Sequence, residues 1–253
     1  MRVVTYNIQW GKGRDGRIGL DRIAAAVTGA DIIALQEVER NWRAQDFPDQ
    51  AARLAELLPG YDWVYGAAVS LAGASPHRRR QLGNMILSHW PISSARTLPL
   101  PARPVFGHMN DEQAMTEAVI EADGLALRVY NTHLNYLEQS QRLDQIARAL
   151  AFIAEAPERG GPVTSPGKPA PGPEDEWIVL PDGKHPPMPE AALLLGDFNF
   201  TPGSEEYKIL TSRFSDSLAL SGQDVNTVTF PGGAEPPQRL DYVFVSGDLV
   251  DRF

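Results

Sequence analysis

Apolar and polar positions along the chain switch repeatedly between a period of two and a period near 3.6, as in a chain that alternates strands with helices. Val3–Ile8 reads as a strand. Leu20, Ile23, Ala24 and Val27 are spaced for one face of a helix over Leu20–Val27. Asp31–Leu35 is almost wholly apolar, which predicts a strand covered on both sides. A helix is predicted from Asp46 to Leu58, with Asp46 as its cap and Pro48 in the first turn. Its inward face is Phe47, Ala51, Leu54 and Leu58, and Pro59-Gly60 ends it. Further strands are expected at Trp63–Ala67, Asn84–Ser88, Met115–Glu121 and Leu125–Thr132, with Asp123-Gly124 as a tight hairpin turn between the last two. Glu138–Glu155 is amphipathic, with Leu143, Ile146, Leu150 and Ile153 inward. Leu193–Gly196 and Leu240–Ser246 read as late strands, with a short helix over Ser204–Leu210 between them.

Residues 157–189 break the pattern, being crowded with Pro and Gly. Such a length is either a functional lid or a loose insertion in a single domain spanning 1–253. The composition favours the insertion. Trp177-Ile178-Val179-Leu180 is a candidate short strand anchoring its middle.

Composition narrows the class. An apolar share of 43% in 253 residues supports a sizeable core. No apolar run is long enough for a membrane span, and the N-terminus enters a strand directly rather than a leader, so a cytoplasmic, monomeric protein is expected. The absence of cysteine removes disulfides, thiolate metal sites and thiol nucleophiles. A net charge of −9 argues against a constitutive nucleic-acid binder, though not against a nuclease, because a bound cation can supply the field a phosphate needs.

The functional signal is the recurrence of polar residues at the ends of apolar strands: Thr5-Tyr6-Asn7, Gln36-Glu37, Asn131-Thr132-His133-Leu134-Asn135, Gly196-Asp197-Phe198-Asn199 and Arg239-Leu240-Asp241. Carboxylates, carboxamides and an imidazole converging at a sheet rim suit a hard oxygen-seeking cation and a phosphate. Singly, each has a plainer reading. Asn7 can be a turn residue, His133 a satisfied core histidine, and Asp197 and Asn199 parts of a turn. Glu37 is harder to dismiss, because a carboxylate against a buried strand is costly without a partner.

Taken in order, Thr5-Tyr6-Asn7-Ile8, Leu35-Gln36-Glu37-Val38, Gly83-Asn84-Met85-Ile86-Leu87-Ser88, Asn131-Thr132-His133-Leu134, Gly196-Asp197-Phe198-Asn199 and Arg239-Leu240-Asp241-Tyr242 resemble the signature series of the endonuclease/exonuclease/phosphatase superfamily. The resemblance implies an α/β fold, a four-layered sandwich of two mixed sheets face to face with helices outside. It implies hydrolysis of a phosphoester, most readily a phosphodiester, by in-line attack of water with Mg²⁺ or Mn²⁺. Glu37 would be the main metal ligand with Asn7 beside it. Asp197 would orient or deprotonate the water, Asn199 donate to phosphoryl oxygens, and His133 contact the phosphate or assist the leaving oxygen. Asn135, Asn84 and Arg239 would help hold the phosphate. Asp241 would orient a histidine lying further along the family pattern.

This chain ends at Arg252-Phe253 without the family's terminal Ser-Asp-His motif. The expectation is a chain missing its last strand and impaired in turnover, with a non-catalytic binding relative as the alternative. Substrate choice is open. Arg78-Arg79-Arg80 is either a solvated charge run or a phosphate contact at the mouth of the site, and Lys12, Arg14 and Arg17 would widen it. Trp10 and Trp42 would stack on a base or headgroup, or simply pack. A nuclease-like or small phosphodiesterase leads, with nucleic acid as a possible substrate. A phospholipid or sugar-phosphate enzyme follows, weakened by the lack of any visible apolar patch or amphipathic basic helix. No obligate protein partner is indicated.

Overall fold

The structure, a computed structural model, describes residues 1–42, 49–73, 78–163, 188–233 and 235–251. Two sheets form its centre. The first contains β1 (Val3–Asn7), β2 (Ile32–Arg40), β3 (Asp62–Ala72) and β4 (Arg79–Ser88), in the order β1-β2-β4-β3. The second contains β5 (Ile92–Pro99), β6 (Ala114–Ala122), β7 (Leu125–His133), β8 (Ala192–Asp197), β9 (Ser215–Asp216) and β10 (Asp241–Val245), in the order β5-β6-β7-β8-β10-β9. β1 and β2 are parallel, as are β7 and β8; the remaining pairs are antiparallel, so both sheets are mixed.

Strand periodicity builds the layers. On β2, Ile32 and Ala34 face the other sheet, where they meet Val129 and Leu127 of β7 and Leu193 and Leu195 of β8. Ile33 and Leu35 point the opposite way, onto α1 (Leu20–Val27) and α2 (Gln50–Leu57). On β7 and β8, Tyr130, Ala192 and Leu194 likewise face outward, onto α3 (Gln139–Arg159) and α4 (Glu205–Thr211). The result is the expected helix–sheet–sheet–helix sandwich. α5 (Ser217–Leu220) and α6 (Gly247–Val250) are single turns. Among the described residues no helix is long and apolar enough to cross a membrane.

Several boundaries differ from the sequence reading. α2 begins at Gln50, and its cap is Asp49, whose side chain accepts from the Ala52 backbone N–H at 3.0 Å. Asp46, Phe47 and Pro48 lie outside the described residues, as do Trp177–Leu180. β5 escaped the periodicity because it is a sheet edge of mixed polarity, Ile-Ser-Ser-Ala-Arg-Thr-Leu-Pro, with no clean alternation. β2, β3 and β4 all run further than their apolar stretches. The Asp123-Gly124 hairpin is as expected, with φ of 46° and 79°, the left-handed pair that a two-residue turn requires.

The Pro-rich segment also starts later than residue 157. α3 continues through Pro157 to Arg159. A proline there cannot donate to the carbonyl four residues earlier, at Ile153. Arg128 of β7 takes that carbonyl instead, its Nη1 donating at 2.7 Å. Its guanidinium is buried and also reaches the Tyr130 hydroxyl and the Glu190 carbonyl.

Candidate active site

The space between the sheets is apolar through most of its length and turns polar at one end. Strand alternation predicts which side chains arrive there. Asn7 continues the face of Val3 and Thr5, and His133 that of Val129 and Asn131. Asp197 continues the face of Leu193 and Leu195, and Asp241 that of Val243 and Val245. Register then brings them level: His133 is paired with Asp197 across β7 and β8, and Asp241 with Asp197 across β10 and β8.

Gly196 makes the first of these pairings possible. A Cβ at that position would lie 1.9 Å from the Thr132 carbonyl oxygen, and its φ is 151°. Only glycine fits so close an approach.

Glu37 breaks the alternation. By parity it belongs with Ile33 and Leu35 on the helix-facing side. Between the pairs Leu35–Met85 and Val38–Gly83, however, β2 carries two residues where β4 carries one. In this bulge Glu37 adopts φ of 57°, and its carboxylate swings into the space between the sheets. A non-glycine residue held in the left-handed region is strained, and such strain gathers at functional sites.

A polar bolt lies beneath the site. Asn131 donates to the Leu35 and Met85 carbonyls at 2.9 Å each and accepts from Gln36 Nε2 at 2.7 Å, so β7 is tied to both β2 and β4. Asn84 adds a bond to the Ala114 carbonyl at 2.8 Å.

Above the bolt, the Asn7 amide nitrogen donates to Glu37 Oε1 at 2.8 Å and to Asp197 Oδ2 at 3.0 Å, bridging the two carboxylates and the two sheets. The Asn7 oxygen accepts from the Gln9 backbone N–H, so in this orientation Asn7 holds the carboxylates rather than offering an oxygen between them. The His133 imidazole stands between the same carboxylates, with Nδ1 4.0 Å from Glu37 and Nε2 3.8 Å from Asp197. These are ion-pair distances, too long for direct hydrogen bonds. Asp197 Oδ1 accepts from the Asn199 backbone N–H, and Asn199, itself at φ of 53°, donates from its amide to the Leu134 carbonyl.

Electrostatics follow from this crowding. Burial raises Glu37 above the usual carboxylate range, with Asp197 and Asp111 adding to the rise and His133 and Asn7 opposing it. Asp241 is pushed up to about 7, first by burial and then by the charge of Asp197. Its Oδ2 accepts from the Thr229 hydroxyl at 2.6 Å, whereas its buried Oδ1 has no partner.

The other expected residues divide. Asn84 lines a narrow cleft together with Glu37, His133, Asp111 and Gln113. Asn135 is fully buried, its oxygen accepting from the Leu137 and Glu138 N–H groups and its amide donating to Asn110. Arg239 is buried against Asp216 in a two-pronged ion pair at 2.8 Å and also bonds the Val225 carbonyl. Arg79 bonds Ser70 across the β3–β4 hairpin, and Arg78 and Arg80 are exposed there. Arg80, Arg79 and Arg78 stand three, four and five residues from Gly83, about 10–17 Å along the chain from that residue of the cleft wall. Asp111, Gln113 and Thr229 were not anticipated. They sit on loops without periodicity, where only the acidic pair Asp111-Glu112 gave a signal.

The donor set fits a hard divalent cation. It holds carboxylate oxygens and no sulfur, and Glu37 and Asp197 stand on one amide with Asp241 beside Asp197, a concentration of negative charge that a cation would relieve. Among the described residues no group of three or more His, Asp or Glu side chains is placed to hold a metal ion. A small cation that keeps most of its water needs only one or two carboxylates.

Comparison with known proteins agrees with this architecture. A mannosyl-6-phosphatase of Bacteroides thetaiotaomicron superposes with a TM-score of 0.64 at 19% identity, over 97% of this chain and 85% of the other. The human Nocturnin catalytic domain with bound sulfate gives 0.61 at 17%, over 98% and 82%. A β-hairpin deletion mutant of the Staphylococcus aureus beta toxin gives 0.61 at 17%, over 98% and 87%. At these identities the likeness concerns the fold. No curated protein matches the chain in sequence. Residues 4–253 match the model of the endonuclease/exonuclease/phosphatase family, and the chain belongs to that family.

Proposed function

We propose that the protein hydrolyses a phosphodiester by in-line attack of water, in a site centred on Glu37, His133 and Asp197 and dependent on Mg²⁺ or Mn²⁺. One observation carries the reading: a single amide, that of Asn7, bridges two carboxylates from opposite sheets while an imidazole stands between them. Glu37 would hold the cation, which when bound neutralises charge on the phosphoryl and leaving oxygens.

The remaining work falls to the chain. Asp197, its Oδ2 steadied by Asn7, orients the attacking water and takes its proton as the new P–O bond forms opposite the breaking ester bond. His133 faces the phosphate and donates to the leaving or non-bridging oxygen. Asn199 donates the amide hydrogen that Leu134 does not use. The unpartnered Oδ1 of Asp241 is suited to accept from an imidazole N–H and so to orient it. Asn84, Asn135 and Arg239 act through the frame: their bonds go to the inter-sheet contact, the Asn110 loop and Asp216. Arg78 and Arg80, exposed on the β3–β4 hairpin, would meet only a substrate long enough to extend beyond the cleft. In this reading the protein acts alone, in the cytoplasm.

The test is hydrolysis of bis(p-nitrophenyl) phosphate with Mg²⁺ or Mn²⁺, with and without added imidazole, by the protein and by its Glu37→Gln and Asp197→Asn variants. Metal-dependent turnover that both substitutions abolish supports the reading. Turnover that survives Glu37→Gln and is indifferent to metal sinks it. Duplex DNA serves as a second substrate, because its cleavage would fall steeply with salt whereas a small diester would barely respond.

A further inference from the structure

β3 and β5 are outer strands, one in each sheet, and they lie on the same side of the sandwich. Between them is a groove of about 350 Å³, at the lower end of the range for small-molecule sites. Arg40, Trp63 and Tyr65 line it from the first sheet, and Arg96, Thr97 and Thr116 from the second. It shares no lining residue with the cleft of Glu37 and His133.

Thr116 sets this groove apart from an ordinary sheet edge. The residue is 1% exposed, and its hydroxyl oxygen has no hydrogen-bond partner among the described residues. Gly66 of β3 makes room for it. A Cβ at Gly66 would lie 2.1 Å from Thr116 Oγ1 and 2.4 Å from Thr97 Oγ1, so only glycine lets both hydroxyls press against the β3 backbone. A buried hydroxyl is costly to leave unpaired, and one that lines a groove is suited to bond what enters it.

The two arginines are held in the same way. Asp49 accepts from Nε and Nη2 of Arg40, and the buried Glu117 accepts from Nε and Nη2 of Arg96. Each carboxylate fixes its guanidinium from one side, and Nη1 of both makes no hydrogen bond among the described residues. The Arg40 guanidinium also lies over the Tyr65 ring, 5.4 Å from its centroid, and the Tyr65 hydroxyl donates to the Val38 carbonyl at 3.1 Å. Trp63 and Tyr65 are half-buried, so part of each stays open to the groove they line.

We propose that this groove is a second binding site, separate from the cleft, for a small molecule that joins a planar ring to one anionic group. The rings of Trp63 and Tyr65 take the planar part. The Nη1 donors of Arg40 and Arg96 take the anionic group, a carboxylate or a phosphate, the two that a guanidinium matches best. The Thr116 hydroxyl bonds a polar atom of the same molecule. Because Asp49 and Glu117 already offset both arginines, the groove suits a single anionic group rather than a polyanion. Its volume is likewise that of a small molecule and not of a polymer chain.

Calorimetric titration of the intact chain tests this, with adenosine monophosphate as a ring-bearing phosphate and phenylacetate as a ring-bearing carboxylate. Chelator in the buffer keeps phosphate from any cation in the cleft. At least one of the two should bind saturably, and which one does decides between phosphate and carboxylate. The matching half-molecules, adenosine with inorganic phosphate or toluene with acetate, should each bind at least about tenfold more weakly than the whole. Thr116→Val replaces the hydroxyl with a methyl of the same shape. It should weaken binding about tenfold without lowering the thermal midpoint, because the atom removed is unpaired in the free protein. Arg40→Gln should also cost about tenfold or more. Saturation should shift the indole N–H resonance of Trp63. No saturable binding of either ligand up to about 10 mM overturns the proposal. So does binding that both variants leave unchanged, which would put the ligand elsewhere on the protein.

Discussion

Asp197 and Asp241 face each other as register partners on antiparallel β8 and β10, two carboxylates on one side of a sheet with a single uncommitted oxygen between them, Oδ1 of Asp241. Asn7 and the Asn199 backbone bond both oxygens of Asp197, whereas among the described residues the Asp241 side chain accepts only from the Thr229 hydroxyl. The ladder forces the pair together, and burial makes it expensive.

That cost has a pH dependence. With Asp241 raised from 3.8 to about 7, the native state keeps a proton that the unfolded chain has released. The favourable contribution is complete below the unfolded value and is lost as pH rises through the native one. Metal-free protein should therefore lose stability between about pH 4 and pH 7 from this group. Asp241→Asn should flatten that decline and raise the thermal midpoint at pH 8, while gaining nothing at pH 4. Unfolding curves in chelator across this range decide it, and parallel curves for the two proteins would be contrary.

Glu37 carries the same logic to metal binding. Its carboxylate is buried, strained in its bulge and raised by its neighbours. Glu37→Gln should stabilise the metal-free fold slightly, abolish Mg²⁺-induced stabilisation, and lower phosphodiester turnover by about a hundredfold or more. Calorimetric titration with Mg²⁺ is the direct measurement.

Asn131 should matter to the fold more than to chemistry. Asn131→Ala removes the bonds to the Leu35 and Met85 carbonyls and to Gln36 Nε2, which keeps Thr5 Oγ1 and the Ala34 carbonyl as acceptors. A loss of about 1–3 kcal/mol is expected from the lost bonds between the sheets. Urea unfolding should show it, and an effect below about 1 kcal/mol would mean that water replaces the bolt.

The Arg128–Pro157 relationship predicts a compensating pair. Arg128→Met leaves the Ile153 carbonyl without the donor that Pro157 cannot supply, for a loss of about 1–3 kcal/mol. Pro157→Ala in that background restores a helical N–H and should recover part of it. Additivity of the two substitutions in a double-mutant cycle would refute the coupling.

Much of this protein was settled by its sequence alone. Alternation on β2, β7 and β8 fixes which residues lie between the sheets, and the strand-end polar residues Asn7, His133, Asp197 and Asp241 share that parity. Their convergence follows once the strands pair, because period-two geometry allows no other face. Helices over Leu20–Val27 and beyond Glu138 were equally legible, because each carries its own apolar stripe.

The tertiary structure decided what depends on contacts between distant segments. Parity alone turns Glu37 to the wrong face, and only the bulge opposite Asn84 reverses it. Asn135 and Arg239 stand in the same motifs as the cleft residues, yet Asn110 and Asp216, far away in the chain, absorb their hydrogen bonds. The edge strand Ile92–Pro99 has no pattern because one of its sides meets no neighbour. Which distant segments meet is a property of the folded backbone rather than of any local period.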